Sequence, residues 1–441
     1  MIEDRDALAR TPAHELALSG VEAAVDAARP ERVLRERVRL DGDRLQVGDA
    51  SVALGEYDEA LVLGGGKAAA HVAAVLEDVL GDRLDGGVVV TSDPVSTERV
   101  AVVAGDHPVP SERGVAGAER VLATAREADD RTLVLAVLTG GGSALLPAPA
   151  DGVSLADLQS VTEALLDGGA AIEELNAVRR HCSALKGGRL ADAAAPATVV
   201  GLLFSDVVGD DPAVIASGPT APDPSTFADA AAVLDRYEVD APAAIRERLE
   251  RGAAGAVAET PGPGDRVFDR VTNVVLANAW TALDAARETV AESWFAPLVL
   301  SSRIEGEARE VAKTHAAVAT EIGETGNPIE PPAVVLSAGE TTVTVRGDGA
   351  GGPNCEFALS AAQSLPDGAV LAAVDTDGID GDSGAAGGIV DASTVDDPAA
   401  AAAALAENDA ATYLSERDAL LTTGPTGTNV NDLHVLVVPG E

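Results

Sequence analysis

Lysine is nearly missing from this chain: Lys67, Lys186 and Lys313 stand against 28 arginines. Aromatic residues are almost as scarce, at 2% of 441 residues. The six histidines show neither an HExxH pattern nor the spacing of a hydrolase triad, which argues against metallohydrolase and serine-hydrolase chemistry. Cys182 and Cys355 are the only cysteines and lie far apart, so neither a CxxC site nor a disulfide framework is expected. No run of about 18 apolar residues is present, so no membrane-spanning helix is expected. The start, "MIEDRDALAR", lacks the apolar core of a signal peptide, and the expected location is the cytoplasm. Nor is there a basic stripe to neutralise phosphates, which excludes nucleic acid as a partner.

Acid is what the chain has in excess. Its 72 Asp and Glu outnumber 31 Lys and Arg, for a net charge of −41. Self-repulsion on that scale weakens a compact state unless salt screens it, and the Debye length falls to about 3 Å near 1 M. With its Ala and Val and its scarce lysine, the composition resembles that of proteins from salt-accumulating haloarchaea. Acidity is then a property of the surface and says little about substrate.

Apolar runs of strand length alternate with Ala-rich helical stretches. Strands are expected near 59–64, 86–92, 100–105, 132–140, 197–206, 272–278, 297–302, 333–339, 341–346, 369–377 and 434–440. Helices are expected at 113–127, 183–195, 279–291 and 305–321, and the Ala run 399–405 also reads as helix. Most strand runs are continuously apolar, as in strands buried on both faces. The reading is two α/β domains with largely parallel sheets, the larger one Rossmann-like. The Pro-Gly-rich stretch 250–266 is the best linker, giving domains 1–262 and 263–441.

Two strands run through three glycines into a helix: "LVLGGGKAAA" (61–70) and "LAVLTGGGSA" (135–144). Such turns let backbone approach an anion at a helix N-terminus. Gly64, Gly65, Gly66, Gly140, Gly141, Gly142 and Ser143 are therefore candidate phosphate or substrate contacts. Lys67 sits against the positive end of its helix dipole, which suggests an anion between the two. The stretch matches no P-loop, since Leu61 occupies the first glycine position and Ala68 follows the lysine. A loose dinucleotide fingerprint, Gly64-x-Gly66-x-x-Ala69 with Asp93 beyond it, keeps a nicotinamide-dependent reductase as an alternative.

"NAVRRHCSALKGGRLA" (176–191) is the densest basic patch. Read as a helix, it offers Lys186 and Arg189 for phosphate or substrate; the competing reading is an ion-pair cluster or the interface of a homodimer. Lys313 reads as solvated surface. Strand ends at "FSDVVGDDPAVIASGPTAPDPST" (204–226) and "VDTDGIDGDSGAAGG" (374–388) present Asp206, Asp375, Asp377, Asp380 and Asp382. Mg²⁺ takes one or two carboxylates together with phosphate oxygens, so Asp206 and Asp377 are its candidate ligands. Asp206 is also the preferred acceptor for a substrate hydroxyl proton.

Taken in order, "GGGKAA", "GDHPVPSERG", "LTGGGSALLPAP", "LKGGRLA", the 204–226 stretch, "GGPNCEFAL", "DTDGIDG" and "TGPTGTNVND" resemble the glycerate 2-kinases of the MOFRL type. Some members of that family carry the label hydroxypyruvate reductase. The resemblance covers nearly the whole chain. It implies ATP- and Mg²⁺-dependent phosphorylation of D-glycerate to 2-phosphoglycerate, with an active site in the cleft between two α/β domains. The family's active-site lysine falls on Lys67. An arginine in a Gly-Gly-Arg-Asn-Gln-Glu stretch of some members falls on Pro353, and Cys355 replaces the Gln. Arg346, Arg179 or Arg189 would have to substitute, or the arginine is dispensable. A reductase using NADH or NADPH, and a non-catalytic sugar-acid sensor, are the alternative functions.

Overall fold

The structure is a computed structural model and describes residues 1–440. The chain forms two compact units that do not coincide with the expected 1–262 and 263–441. The first comprises Val33–Ser205 and Asp210–Leu276; the second comprises Met1–Arg32, Asp206–Gly209 and, of the described residues, 277–440. The Pro-Gly stretch after 250 is thus a loop inside the first unit, because the strand Val271–Ala277 beyond it completes that unit's sheet.

In the first unit six strands lie in the spatial order Val100–Ala104, Gly86–Thr91, Glu59–Gly65, Thr132–Leu138, Thr198–Phe204, Val271–Ala277. The pairings among the first five are all parallel. By chain order this is 3-2-1-4-5-6, the doubly wound dinucleotide-fold order. Thr132–Leu138 is buried at every position, as its unbroken apolar run requires. The helices Ala69–Leu80 and Glu112–Glu127 are crossovers, and Ser111 caps the second. A separate core around Phe227 holds the helices Leu155–Asp167, Ile172–His181, Phe227–Arg236 and Ala243–Ala253 together. The short meander Val38–Asp41, Arg44–Val47, Ala50–Ala53 has no clear apolar run and was not expected.

The second unit's sheet corrects the expectation of largely parallel strands. Its order is Ala296–Glu307, Ala333–Thr342, Asp432–Val438, Val370–Asp375, Gly387–Asp391, Leu420–Leu421, and only the first pair is parallel. The reason is connection length. Val370–Asp375 reaches Gly387–Asp391 through a glycine-rich loop with no helix, and a parallel return needs a crossover of a dozen or more residues. The runs 333–339 and 341–346 merge into one strand ending at Thr342. On one face pack the helices Ala308–Thr325, Pro353–Ala362, Pro398–Ala406 and Ala410–Ser415 around Phe357. Against the sheet also lie Pro12–Ala28 and Ala279–Ala291. Gly20 of the former faces Val435 on the strand Asp432–Val438, and the N-terminal helix belongs to this unit.

Candidate active site

The strand order reverses between Glu59–Gly65 and Thr132–Leu138, and both triple-glycine turns leave from the carboxyl ends of these two strands. In open α/β sheets that crevice is where ligands bind. The turn carrying Lys67 is tied to both neighbouring strands. Its N–H donates to the Gly140 carbonyl at 2.8 Å, and its carbonyl accepts from Thr91 Oγ1 at 2.7 Å. Gly66 N–H donates to the Val90 carbonyl and Ala68 N–H to Thr139 Oγ1. Gly66 has φ 141°, and a Cβ there would collide with Thr139, so glycine is required at this point of close approach. The helix Ala69–Leu80 begins with no side-chain cap from its N-cap residue, and Ala69 N–H donates back to the Gly66 carbonyl at 3.2 Å. A Cβ on Gly141 would meet Lys67 Cγ at 3.1 Å and the His107 ring at 2.9 Å. Gly141 thus makes room for Lys67 and for His107, a residue not picked from sequence although "GDHPVPSERG" contains it.

Beside the second turn, Ser143 Oγ lies 2.8 Å from Ser217 Oγ, which donates to buried Asn176 Oδ1 at 3.0 Å. Ser217 and Ala216 both have positive φ, 62° and 51°. Two successive non-glycine residues in that region cost about 1–3 kcal/mol each and tend to gather at functional sites. A Cβ on Gly142 would sit 2.7 Å from Ala216 Cβ, so the strained turn and the glycine turn are packed together. The motif "IASGPT" held this signal, but only the fold shows it meeting Ser143.

The basic patch is not the continuous helix expected over 183–195: the helices end at His181 and restart at Arg189. Its cations then separate. Lys186 is 5% exposed and its Nζ donates to the Leu146 carbonyl at 3.3 Å, at the end of the second glycine turn. Burial first, and the charge of Arg179 second, push its pKa down to about 7. Arg189 instead donates to the Arg180 carbonyl, next to the buried Arg180–Asp223 ion pair. Arg346 is exposed, with its backbone held by Asn408. Lys313 pairs with Glu310 at the surface, as expected.

In the second unit four of the resembling motifs meet at one end of the sheet. Thr376 Oγ1 donates to the Asn431 carbonyl, and Thr426 N–H to the Asp377 carbonyl. Asn431 Nδ2 donates to the Asp206 carbonyl at 2.8 Å and to Glu340 Oε2 at 2.7 Å. Asp380 accepts from the N–H groups of Asn354 and Cys355, so it caps the helix Pro353–Ala362. Pro353 stands at the first turn of that helix, where no N–H is needed. Asn354 Nδ2 in turn donates to Asp432 Oδ1 at 2.6 Å.

This corner collects carboxylates. Burial, then Asp432, Asp206 and Asp377, raise the pKa of Glu340. Burial, then Asp377 and Asp432, raise that of Asp375 well above the ordinary range. Burial raises Asp432 too, against the hydrogen bonds from Thr341 and Asn354 that favour its ionised form. Asp206 and Asp377, chosen from sequence, therefore belong to one group around Glu340. Glu340, Asp375 and Asp432 are its other members; Asp375 and Asp432 lie in stretches quoted from the sequence without being chosen, and Glu340 gave no signal beyond standing near a strand end. Among the described residues no three His, Cys, Asp or Glu side chains converge as a closed metal cage. An oxygen donor set of one or two carboxylates is still what Mg²⁺ requires when phosphates complete its shell.

A doubly wound sheet with a lysine-bearing glycine turn at its switch point, and a mixed-sheet unit with clustered carboxylates, define the class: a two-unit α/β protein. The chain belongs to the MOFRL family of glycerate kinases. Residues 333–432 match the MOFRL family, and residues 16–250 match a domain described as of unknown function (DUF4147). The chain is 38% identical to a glycerate 2-kinase of Pyrococcus horikoshii, covering 97% of this chain and 98% of that protein. It is 40% identical to a putative hydroxypyruvate reductase of Agrobacterium vitis, covering 86% and 87%. The crystal structure of a glycerate kinase from Thermotoga maritima superposes with a TM-score of 0.83 at 36% identity, covering 96% of this chain and 99% of that one. Among the described residues no helix is long and apolar enough to cross a membrane.

Proposed function

We propose that this chain is an ATP-dependent kinase that phosphorylates D-glycerate to 2-phosphoglycerate, a cytoplasmic enzyme working at high salt. The observation that carries the reading is the position of Lys67: a glycine turn locks its backbone at the reversal of strand order, in a chain with two other lysines. Phosphoryl transfer depends chiefly on positioning and on stabilising charge. Lys67 supplies a point charge for the glycerate carboxylate or the transferring phosphate. Gly64–Gly66 bring backbone close to the site, Gly66 N–H itself being given to the Val90 carbonyl, and Gly140, Gly141 and Ser143 of the second turn offer backbone N–H groups to phosphate oxygens, with Lys186 beside them. Arg189 serves the fold around Arg180 and contacts ligand only if that network opens.

Asp206 accepts the proton of the 2-hydroxyl as it attacks. Asp377, with Asp206 as the second candidate, would hold Mg²⁺, which supplies charge neutralisation to the phosphates when bound. The raised pKa values of Glu340, Asp375 and Asp432 express the same need for positive charge in that corner.

The strand order and the name of the Agrobacterium relative also fit a nicotinamide-dependent reductase. Its fingerprint would place Asp93 on a ribose, and here Asp93 pairs with His71 at 3.0 Å. One assay in molar KCl separates the readings. ADP release from D-glycerate and Mg-ATP, with no oxidation of NADH or NADPH by hydroxypyruvate, is the expected result. Oxidation without ADP release overturns the kinase; silence in both arms leaves the sugar-acid sensor.

A further inference from the structure

Two motifs of the first unit, "LKGGRLA" and "IASGPT", together hold one buried hydroxyl in place. Ala216, Ser217 and Gly218 follow one another with positive φ, 51°, 62° and 68°. Ser217 N–H donates to the Val214 carbonyl and Gly218 N–H to the Ile215 carbonyl. From the other motif, the N–H groups of Gly187 and Gly188 donate to the Ser217 and Gly218 carbonyls at 3.0 and 2.7 Å. A left-handed conformation at two non-glycine residues persists only where the surroundings over-determine it. What it fixes here is Ser217 Oγ, fully buried between Asn176 and Ser143. Counting protons gives this chain of groups a direction. A serine hydroxyl has one proton and two lone pairs. Ser217 gives its proton to Asn176 Oδ1 at 3.0 Å, so toward Ser143, 2.8 Å away, it can only accept. Ser143 is then the donor of that contact and has no proton left for a ligand. The residue is half-buried, and its Oγ makes no other hydrogen bond among the described residues. Each donation along the chain polarises the next and makes the terminal oxygen a better acceptor. An oxyanion would meet lone pairs there; a hydroxyl meets an acceptor. Ser143 is no nucleophile or base either, because the chain ends at an amide oxygen that takes up no proton.

We propose that Ser143 Oγ accepts a hydrogen bond from a substrate hydroxyl that keeps its proton throughout the reaction, the 3-hydroxyl of D-glycerate. The choice of that hydroxyl rests on the kinase reading, in which the 2-hydroxyl loses its proton to a carboxylate. The direction of the chain of hydrogen bonds does not rest on it. Ser143 stands beside the turn that carries Lys67 because the two glycine turns touch. Lys67 N–H donates to the Gly140 carbonyl, and a Cβ on Gly142 would lie 3.3 Å from the Gly65 carbonyl. A small acid held at the first turn therefore lies next to the second. Ser143 selects an acid carrying this hydroxyl over one that ends in a methyl group, since the latter leaves the acceptor unpaired. Ser217 is a positioning residue that acts through Ser143.

The test uses the full chain in buffered molar KCl with D-glycerate and with D-lactate, which carries a methyl group in place of the 3-hydroxyl. D-Lactate affinity is read by competition against D-glycerate, and calorimetric titration of both acids needs no turnover. In the unsubstituted protein D-lactate should bind on the order of ten- to a hundredfold more weakly, the scale for leaving a desolvated acceptor unpaired. Ser143→Ala should raise the KM for D-glycerate by a similar factor and change kcat far less, leaving D-lactate affinity and the KM for ATP as they were. Ser217→Ala should give a smaller rise. The double variant should match Ser143→Ala, because without Ser143 the second hydroxyl has nothing to act through. A KM for D-glycerate that does not rise in folded Ser143→Ala overturns the proposal, as does equal affinity of the unsubstituted protein for the two acids. D-Lactate weakened as much as D-glycerate overturns it too, and so does a rise confined to the KM for ATP, which would assign the oxygen to the nucleotide. Additive effects in the double variant remove Ser217 from its role. A calorimetric preference for D-glycerate that Ser143→Ala abolishes, in a protein that releases no ADP, overturns the kinase reading alone. A protein that binds neither acid loses both.

Discussion

Lys67 carries its argument in three atoms: an N–H and a carbonyl fixed to neighbouring strands, and an ammonium placed against a helix dipole. If that ammonium stabilises charge that develops in the transition state, Lys67→Ala lowers kcat on the order of 10²–10³. Anchoring glycerate equally in ground and transition states would raise KM alone. Lys67→Arg also fails, because a planar fork does not reproduce a point charge beside a tight turn. The melting temperature of both variants stays near that of the unsubstituted protein, so kinetics and melting together isolate the role. Asp206→Asn and Asp377→Asn are expected to lower turnover much more than stability. Titrating Mg²⁺ in each variant distinguishes them: the one rescued by excess Mg²⁺ is the metal ligand. Turnover near that of the unsubstituted protein in both removes these carboxylates from the mechanism.

At the scale of elements, the strands Ala333–Thr342 and Asp432–Val438 carry a polar insertion into an apolar layer. His315 Nε2 lies 2.8 Å from Ser337 Oγ, which lies 3.3 Å from His434 Nδ1, and His434 stacks on Phe357 at 3.9 Å. The Val311 carbonyl takes the Nδ1 proton of His315, leaving Nε2 to accept from Ser337. Ser337 then accepts from His434 Nδ1–H, and the sealed His434 Nε2 keeps a bare lone pair. Both histidines have pKa values lowered by burial, His434 the more strongly. A histidine whose folded pKa is depressed contributes stability that is complete above the unfolded value of about 6.5 and is lost as pH falls below it. Melting temperature should therefore decline from pH 6.5 downwards, and His434→Leu should flatten that decline while lowering stability at pH 8. An unchanged slope in the variant would assign the acid sensitivity elsewhere.

For the whole molecule the governing quantity is charge. With 31 basic residues for 72 acidic ones, most carboxylates have no cation to pair with. Exposed pairs such as Arg83–Asp43 and Arg131–Asp58 contribute little in any case. Screening by salt has to hold the repulsion down. Reducing KCl from molar to tens of millimolar lengthens the Debye length towards about 30 Å at 0.01 M. The expected result is a lower melting temperature and lost helical signal in circular dichroism. Undiminished structure after desalting would separate the composition from any need for salt.

The sequence by itself determined what local chemistry determines. Continuous apolar runs placed most strands within a residue or two, and the helix Ala279–Ala291 falls where its Ala-rich pattern put it, with Asn278 capping it in the structure. Glycine triplets marked both turns at the switch point because the chain cannot make so close an approach with a Cβ. Tertiary structure decided what depends on partners distant in the chain. The direction of the second sheet followed from loop lengths and from Asp432–Val438 inserting between two strands parallel to each other. The unit boundary followed from which sheet Pro12–Ala28 and Val271–Ala277 complete. Lys186 and Arg189, three residues apart, separate because one is drawn under a glycine turn and the other onto the Arg180 carbonyl. Glu340 and Asp432 are ordinary acids among 72 until the strands that carry them lie side by side. Burial and mutual repulsion, which raise their pKa values, arise only there.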